Sequence, residues 1–406
     1  MLFTRRAFMG AASAASALLA GATSAKPASS SQDPLGVRAD FPGVQKTIFF
    51  DSAYTALSPR QAVGAAQAFL GSIGHNPPNV PEMMHESEVV RERFAGLIGA
   101  EREEVGLLYA TSDGENIVSR ALNMQAGDNV VIDDLHYQST YVLYQHLKEK
   151  LGIEVRIVRN INGATPPESF APHVDERTRL ISVSWVSHFN GYRQDLQALA
   201  DLVHEQGGYL YADAIQGIGM LALDVKAVDV DFLTSGSYKW LLAGYGVAPF
   251  YVRKELLDLV STDRSGGFQA AEALGDHQYR LHTDGRKYQY ATMSFGAVYH
   301  LNAALEYILG IGVANIERHT VGLAHRLRAG LASQGFDIDT PAGNAASIVT
   351  FQHGRDAKEV RHDLKAGGVK INISDNQSHL RVGIALYNNA EEVDQFLELT
   401  GNWKQH

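Results

Sequence analysis

Two residues in the interior of this 406-residue chain have the types and spacing for covalent chemistry on a carbonyl group. Tyr209-Leu210-Tyr211-Ala212-Asp213 reads as a short buried strand that ends in a carboxylate. A second apolar run, Asp231-Phe232-Leu233-Thr234, opens into Ser235-Gly236-Ser237-Tyr238-Lys239-Trp240. The spacing, 239 − 213 = 26 residues, leaves room for one crossover between neighbouring strands. Taken singly, each residue has an ordinary reading: an Asp caps a turn, and a Lys sits on the surface. Together they suit a cofactor that is an aldehyde on a pyridine ring. A lysine amine condenses with such an aldehyde to a Schiff base, and an acid pairs with the pyridinium nitrogen, as pyridoxal phosphate chemistry requires.

Elements able to hold such a pair recur along the chain. Strands are predicted at 105–110, 129–133, 154–158, 179–186, 209–213, 231–234 and 247–252, with helices at 114–124, 138–150 and 195–206 among them. Strands alternating with helices give an α/β fold built on a doubly wound, mainly parallel seven-stranded sheet. The run 247–252 follows its predecessor too closely for a helical crossover, so an antiparallel course is open to it. Upstream, 47–51 reads as a short strand, Ser52-Ala53-Tyr54 as a turn, and 60–73 and 82–99 as helices. Past about 295 the pattern changes to helices at 296–309, 313–334, 356–366 and 391–399 with strands at 347–351, 369–373 and 379–385. This divides the chain into a large domain, 47–295, and a smaller C-terminal α+β domain, 296–406.

The formal charge of −10 argues against nucleic acid and anionic membranes as partners. With no cysteine, the chain can form no disulfide, thiolate metal site or persulfide. Residues 1–25 read as an export signal. Thr4-Arg5-Arg6-Ala7-Phe8-Met9 fits the twin-arginine pattern, and Ala7 to Ala22 is too short and too weakly apolar for a stable membrane span. Loss of Arg5 and Arg6 with this segment leaves a charge of −12 (−10 − 2). Residues 26–46, with Pro27, a Ser run and Pro34, form a linker and an arm leading into the large domain. The expected product is a soluble periplasmic protein.

Asp213-Ala214-Ile215-Gln216, Ser237-Tyr238-Lys239-Trp240 and Gly244-Tyr245-Gly246 resemble the aminotransferase class V family of fold-type I pyridoxal-phosphate enzymes. That family includes cysteine desulfurases, isopenicillin N epimerase-like proteins, kynureninases and carbon–sulfur lyases. The resemblance implies a homodimer with pyridoxal 5′-phosphate on Lys239, the pyridinium nitrogen on Asp213, and the ring hydroxyl near Gln216. Thr111-Ser112-Asp113-Gly114-Glu115-Asn116, at a predicted helix start, is similar to the family's phosphate loop. A helix N-terminus offers free N–H groups and partial positive charge. Tyr137, or its neighbour His136, takes the place of the residue that stacks on the ring. His188 falls where many members carry Asn. Tyr238 stands where desulfurases have a phosphate-contacting His, and Ser235 or Ser237 offers a further hydroxyl. Arg286 to Thr292 resembles the stretch whose Thr reaches the phosphate of the neighbouring subunit, with Ala291 in place of Gly. Leu380-Arg381-Val382, with Tyr387-Asn388-Asn389, resembles the block whose Arg binds the substrate carboxylate in a bidentate fork. The Ser-Pro-His that ordinarily follows that Arg is missing. Ala53 and Tyr54 complete the implied substrate side.

Two other patterns fail on context. Gly217-Ile218-Gly219 followed by Ala222 has dinucleotide-type spacing but no helix start behind it. The sixteen histidines include no H-E-x-x-H pair, so no metal is expected. The implied activity is chemistry at the amino-bearing carbon of an amino acid or of an amino-acid-containing substrate, peptides included. Transamination, racemisation or epimerisation, and elimination by a C–S lyase share these cofactor residues; persulfide-forming desulfuration does not suit a chain without cysteine. A degenerate fold that binds the cofactor without turnover is the reading from another class. For the leader, replacing Arg5 and Arg6 with Lys should leave cofactor-loaded protein in the cytoplasm on fractionation. Delivery to the periplasm at the normal rate would contradict the twin-arginine assignment.

Overall fold

The structure is a computed structural model that describes residues 32–374 and 377–404. The expected leader, 1–25, and the first part of the arm, 26–31, lie outside the described residues. The large sheet is built from β2 (Val105–Leu108), β3 (Asn129–Asp133), β4 (Glu154–Val158), β5 (Thr178–Ser184), β6 (Tyr209–Asp213), β7 (Phe232–Thr234) and β8 (Ala248–Val252), after a short β1 (Ile48–Phe49) outside it. Its seven strands run in the order β2-β8-β7-β6-β5-β3-β4. β4, β3, β5, β6 and β7 pair in parallel, and β8 is antiparallel to both of its neighbours. The connection from β7 to β8 carries no helix, so reversal is the course open to it.

Both faces of this sheet are buried, so its strands read as nearly continuous apolar runs. Val131, Ile181, Val183, Leu210, Ala212 and Leu233 join one core cluster. Val130, Ile132, Leu180, Tyr211 and Phe232 alternate onto the opposite one. Four early helices follow, α1 (Arg60–Ile73), α2 (Val80–Ile98), α3 (Thr111–Ala121) and α4 (Gln138–Leu151), with α3 starting three residues before the expected 114. In α2 the Asn79 side chain accepts from the Glu82 N–H, Pro81 sits in the first turn, and Gly99 closes the end at φ 72°.

The smaller part is organised around a sheet of Asp337–Ile338, Ile348–Gln352, His379–Gly383 and Asn372–Ile373. Two expectations are corrected here. The single strand expected at 369–373 is two: Val369–Lys370 pairs in parallel with β1, and Asn372–Ile373 pairs with His379–Gly383. β1, placed by sequence at the start of the large domain, therefore packs with the C-terminal part. Ile48 and Phe50 share a core cluster with Phe351, Leu380 and Phe396. A hairpin, Ala270–Gly275 with Gln278–Leu281, was not expected. It is almost wholly exposed, so no buried face imposes an apolar period on it. Its turn uses Asp276 and His277 at φ 49° and 58°, without the Asn-Gly or Asp-Gly signal. Among the described residues no single helix is long and apolar enough to cross a membrane.

Gly114 sets how closely α3 lies on the sheet. A Cβ added there would meet Thr234 Oγ1 at 2.0 Å and Phe250 at 3.1 Å. Gly114→Ala should lower stability by about 1–3 kcal/mol, through overpacking. Thr234→Ala in the same chain should recover part of that loss. Thermal melts of the two variants measure this, and an unchanged melting temperature in Gly114→Ala would contradict the packing.

Candidate active site

The crossover order brings one crevice to the carboxyl ends of the parallel strands, where strand order reverses around β3 and ligands ordinarily bind in open α/β sheets. Asp213 ends β6 there, in register with Ser184 of β5 and Thr234 of β7. The backbone splits beyond it: Trp185 N–H donates to the Asp213 carbonyl and Ala214 N–H to the Thr234 carbonyl, both at 2.9 Å. The Asp213 carboxyl is buried. Burial pushes it up to about 6, against the Ile215 N–H it accepts at 3.1 Å and the nearby Lys239 charge.

Lys239 arrives on the loop between β7 and β8. Ser235 N–H donates to the Pro249 carbonyl, Ser237 N–H to Val247, and Leu242 N–H back to Lys239 at 2.9 Å. The turn that closes after the lysine puts buried Leu242 at φ 58°, a left-handed conformation that a branched side chain adopts only when the surroundings hold it. The amine is buried. Desolvation draws it down to about 8; Asp213 opposes that fall and Arg381 adds to it. The sheet thus brings together the acid and the lysine that the sequence paired.

Neighbouring residues brace this loop. Gln216 donates through Nε2 to the Ala53 carbonyl and accepts from Trp240 Nε1, both at 2.8 Å. These two bonds make the side chain a strut first, and leave one amide hydrogen and one carbonyl lone pair for the expected ring-hydroxyl contact. Ser237 is turned the same way. Its hydroxyl lies 2.5 Å from the Gly244 carbonyl and 2.8 Å from that of Val247, which commits its one hydrogen to its own loop. Ser235 is buried, and its hydroxyl reaches the Gly236 carbonyl only at 3.5 Å.

The N-terminus of α3 faces the same loop. A Cβ on Gly236 would stand 2.8 Å from Thr111 Oγ1, so only a glycine permits this approach. Thr111 is half-buried and Ser112 exposed. Asp113 departs from its expected cofactor role. Its carboxylate accepts from the Ala110 N–H at 3.1 Å and lies 3.7 Å from Arg264, which caps the helix and leaves the backbone to receive an anion.

The opposite wall carries His136, Tyr137, His188 and Arg381. His136 is buried. Its Nδ1 accepts from the Tyr137 N–H at 2.7 Å, and burial draws the ring down to about 3. Tyr137 is exposed and stands edge-on to His188 with ring centres 5.1 Å apart. His188 is drawn down to about 3 by burial, then by Arg381 and Lys239, and its buried Nδ1 has no partner. Arg381 donates to the His188 carbonyl at 2.6 Å. Ala53 is buried and Tyr54 exposed beside it. Thr292 is exposed, with its carbonyl accepting from the Tyr109 hydroxyl of the same chain at 2.8 Å.

Sequence reasoning missed Asp51. It lies just past β1, bridged to Gly383, and burial raises it to about 6 against the charges of Arg381 and Lys370. An acid at the end of a short apolar strand was the available signal, the same one that marked Asp213. Trp240, as the partner of Gln216, had no signal beyond its place after the lysine.

This donor set fits pyridoxal phosphate. A buried amine shifted toward neutrality lies beside a carboxylate, a helix N-terminus meets the lysine loop at Gly236, and a buried imidazole nitrogen is left without a partner. The fold and this set define a fold-type I pyridoxal-phosphate enzyme. The chain belongs to the aminotransferase class-V family, whose model matches residues 48–396. It is 28% identical to an uncharacterized aminotransferase, YcbU, of Bacillus subtilis, over 87% of this chain and 93% of that protein. It is 26% identical to the cysteine desulfurase of Escherichia coli K12, over 89% of this chain and 96% of the relative. Among solved structures, the apo cysteine desulfurase of Thermococcus onnurineus superposes with a TM-score of 0.84 at 24% identity, over 93% and 100% of the two chains. A mutant of C-DES with glycine covalently linked to its pyridoxal phosphate superposes at 0.83 with 18% identity, over 90% and 99%. At these identities the two structures speak to the fold. Pyridoxal 5′-phosphate is the cofactor.

In cofactor-free protein, Lys239 should react with an amine acylating reagent with a midpoint near pH 8, below the ordinary 10.5 of lysine. Asp213→Asn removes the charge that favours the ammonium, so the midpoint should move to still lower pH. Peptide-resolved labelling against pH reads both. A midpoint at the ordinary lysine value, or an upward move in the variant, would contradict the geometry.

Proposed function

We propose that this protein is an exported aminotransferase that works at the amino-bearing carbon of an amino acid or of a peptide-like amino compound. The observation that carries the reading is the burial of Lys239 beside Asp213 with Arg381 in electrical reach of the amine. Lys239, Asp213, and the Thr111 and Ser112 end of α3 would hold pyridoxal phosphate. Bound there, that cofactor supplies an electron sink for charge left on the amino-bearing carbon. Arg381 presents a planar fork to the substrate carboxylate and orients that carbon toward Lys239. Asp213 keeps negative charge at the floor of the site. Lys239, near neutrality, would take the proton from the amino-bearing carbon and, in transamination, give it up on the cofactor side rather than back to that carbon, so that the carbon leaves as an oxo group.

Transamination is preferred because the chain belongs to the aminotransferase class-V family and is similar to an uncharacterized aminotransferase. Lys239 titrates near 8, whereas His136 and His188 are drawn down to about 3 and Tyr238 is raised to about 12. Asp51, raised to about 6 and within electrical reach of Arg381, completes the titratable set at this wall. Persulfide-forming desulfuration is set aside because the full sequence has no cysteine to accept sulfur. We further assign a periplasmic location from the Arg5-Arg6 leader, and a homodimer from the family's shared-site pattern at Thr292, whose exposed position is compatible with it.

Purified holo-protein incubated with L-amino acids and a 2-oxo acid acceptor should yield the 2-oxo acid of the donor and the amino acid of the acceptor, read by mass spectrometry. Solvent-derived deuterium on recovered substrate of inverted configuration, without oxo acid, would replace transamination by racemisation.

A further inference from the structure

The rim of the Lys239 crevice is aromatic. Tyr238 and Tyr245 stack at 4.4 Å with planes 22° apart, and Tyr245 is fixed by a 2.7 Å hydrogen bond between its hydroxyl and Thr55 Oγ1. The Tyr238 ring lies 5.8 Å from Lys239 Nζ. Its phenol is close enough to feel Tyr137, Tyr245 and Tyr54. On the far side Phe189 stands 5.9 Å from His379, which shares a strand face with Arg381 two residues on. In the single chain Tyr245 is 63% exposed, Tyr54 59%, Tyr137 45% and Phe189 43%, so large aromatic faces are offered at the opening, which a partner subunit of the proposed homodimer would also approach. A soluble chain rarely leaves several such rings together around one polar centre unless they bind something.

We infer that this collar selects an amino substrate whose side chain carries an aromatic or similarly planar ring. The inference rests on the reading of Lys239 as the cofactor lysine and names the substrate class for that site. Arg381 would fix the carboxylate inside, and the side chain would extend outward between the faces of Tyr54, Tyr137 and Tyr245. Ring on ring adds attraction beyond area burial, which an aliphatic chain of equal length does not obtain. Cationic side chains would also find ring faces, but Arg381 at the base places a positive group against them.

The test titrates holo-protein with L-tryptophan, L-norleucine and L-arginine, following the visible band of the bound cofactor. Tryptophan should give an apparent Kd about tenfold below norleucine, and arginine should be no tighter than norleucine. In Tyr54→Leu and Tyr245→Leu the tryptophan-to-norleucine ratio should shrink toward one, while Tyr245→Phe keeps it. Light scattering on each variant should give the mass of the parent protein. Equal affinities in the parent, or tighter binding of arginine, would overturn the inference while leaving the cofactor assignment intact. Dissociation of the Leu variants to a smaller species would overturn it as well, because the collar would then be a subunit contact. Failure to form a visible band, with no borohydride-trapped adduct on Lys239, would remove the cofactor assignment, and the collar would fall with it.

Discussion

An amine held out of water beside a carboxylate is the interaction on which the rest of this structure depends. Lys239 and Asp213 are both buried, and desolvation is the first cause of the shift on each. Taking two charges out of water costs several kcal/mol per ion unless geometry and hydrogen bonds offset it. The site therefore needs β6 and β7 in fixed register, the Ile215 N–H on the carboxylate, and a loop that cannot drift. Tertiary contacts supply that rigidity through Gln216 tied to Trp240 and Ala53, and through Gly236 pressed toward Thr111.

Beneath the same floor lies a second acid. Glu115, on α3, accepts from Ser182 at 2.6 Å and Thr140 at 2.8 Å, and burial lifts it to about 7. Asp213 contributes to that rise, since like charges oppose one another in a dry interior. A proton on Glu115 leaves Asp213 freer to carry the negative charge. The helix whose first turn would receive the phosphate thus carries, one turn on, an acid that shares the sheet interior with Asp213.

Much of the fold was legible in the sequence because the physics is local. The continuous apolar runs of β3, β5 and β6 and the helical periods at 60–73 and 82–99 need no knowledge of their neighbours. What escaped was set by distant partners. The run 369–373 divides because β1 and His379–Gly383 each claim half of it. The 270–281 hairpin has no buried face from which a period could arise. In the site, residue type and spacing selected Asp213 and Lys239 directly, whereas Arg381 and His188 came from the family resemblance, and the structure places each of the other three within electrical reach of Lys239. Residue type alone could not tell that the Ser237 hydroxyl turns to its own loop, that Asp113 caps its helix, or that both ends of Gln216 are engaged. Those outcomes follow from which backbone groups lay nearest after folding.

The most direct measurement is borohydride reduction of the purified holo-protein followed by peptide mass spectrometry, run on the parent chain and on Lys239→Ala. The account predicts a reduced pyridoxyl phosphate group on the peptide that contains Lys239, and no adduct in the variant. An adduct on another lysine in the parent, or one that persists undiminished in Lys239→Ala, would contradict it.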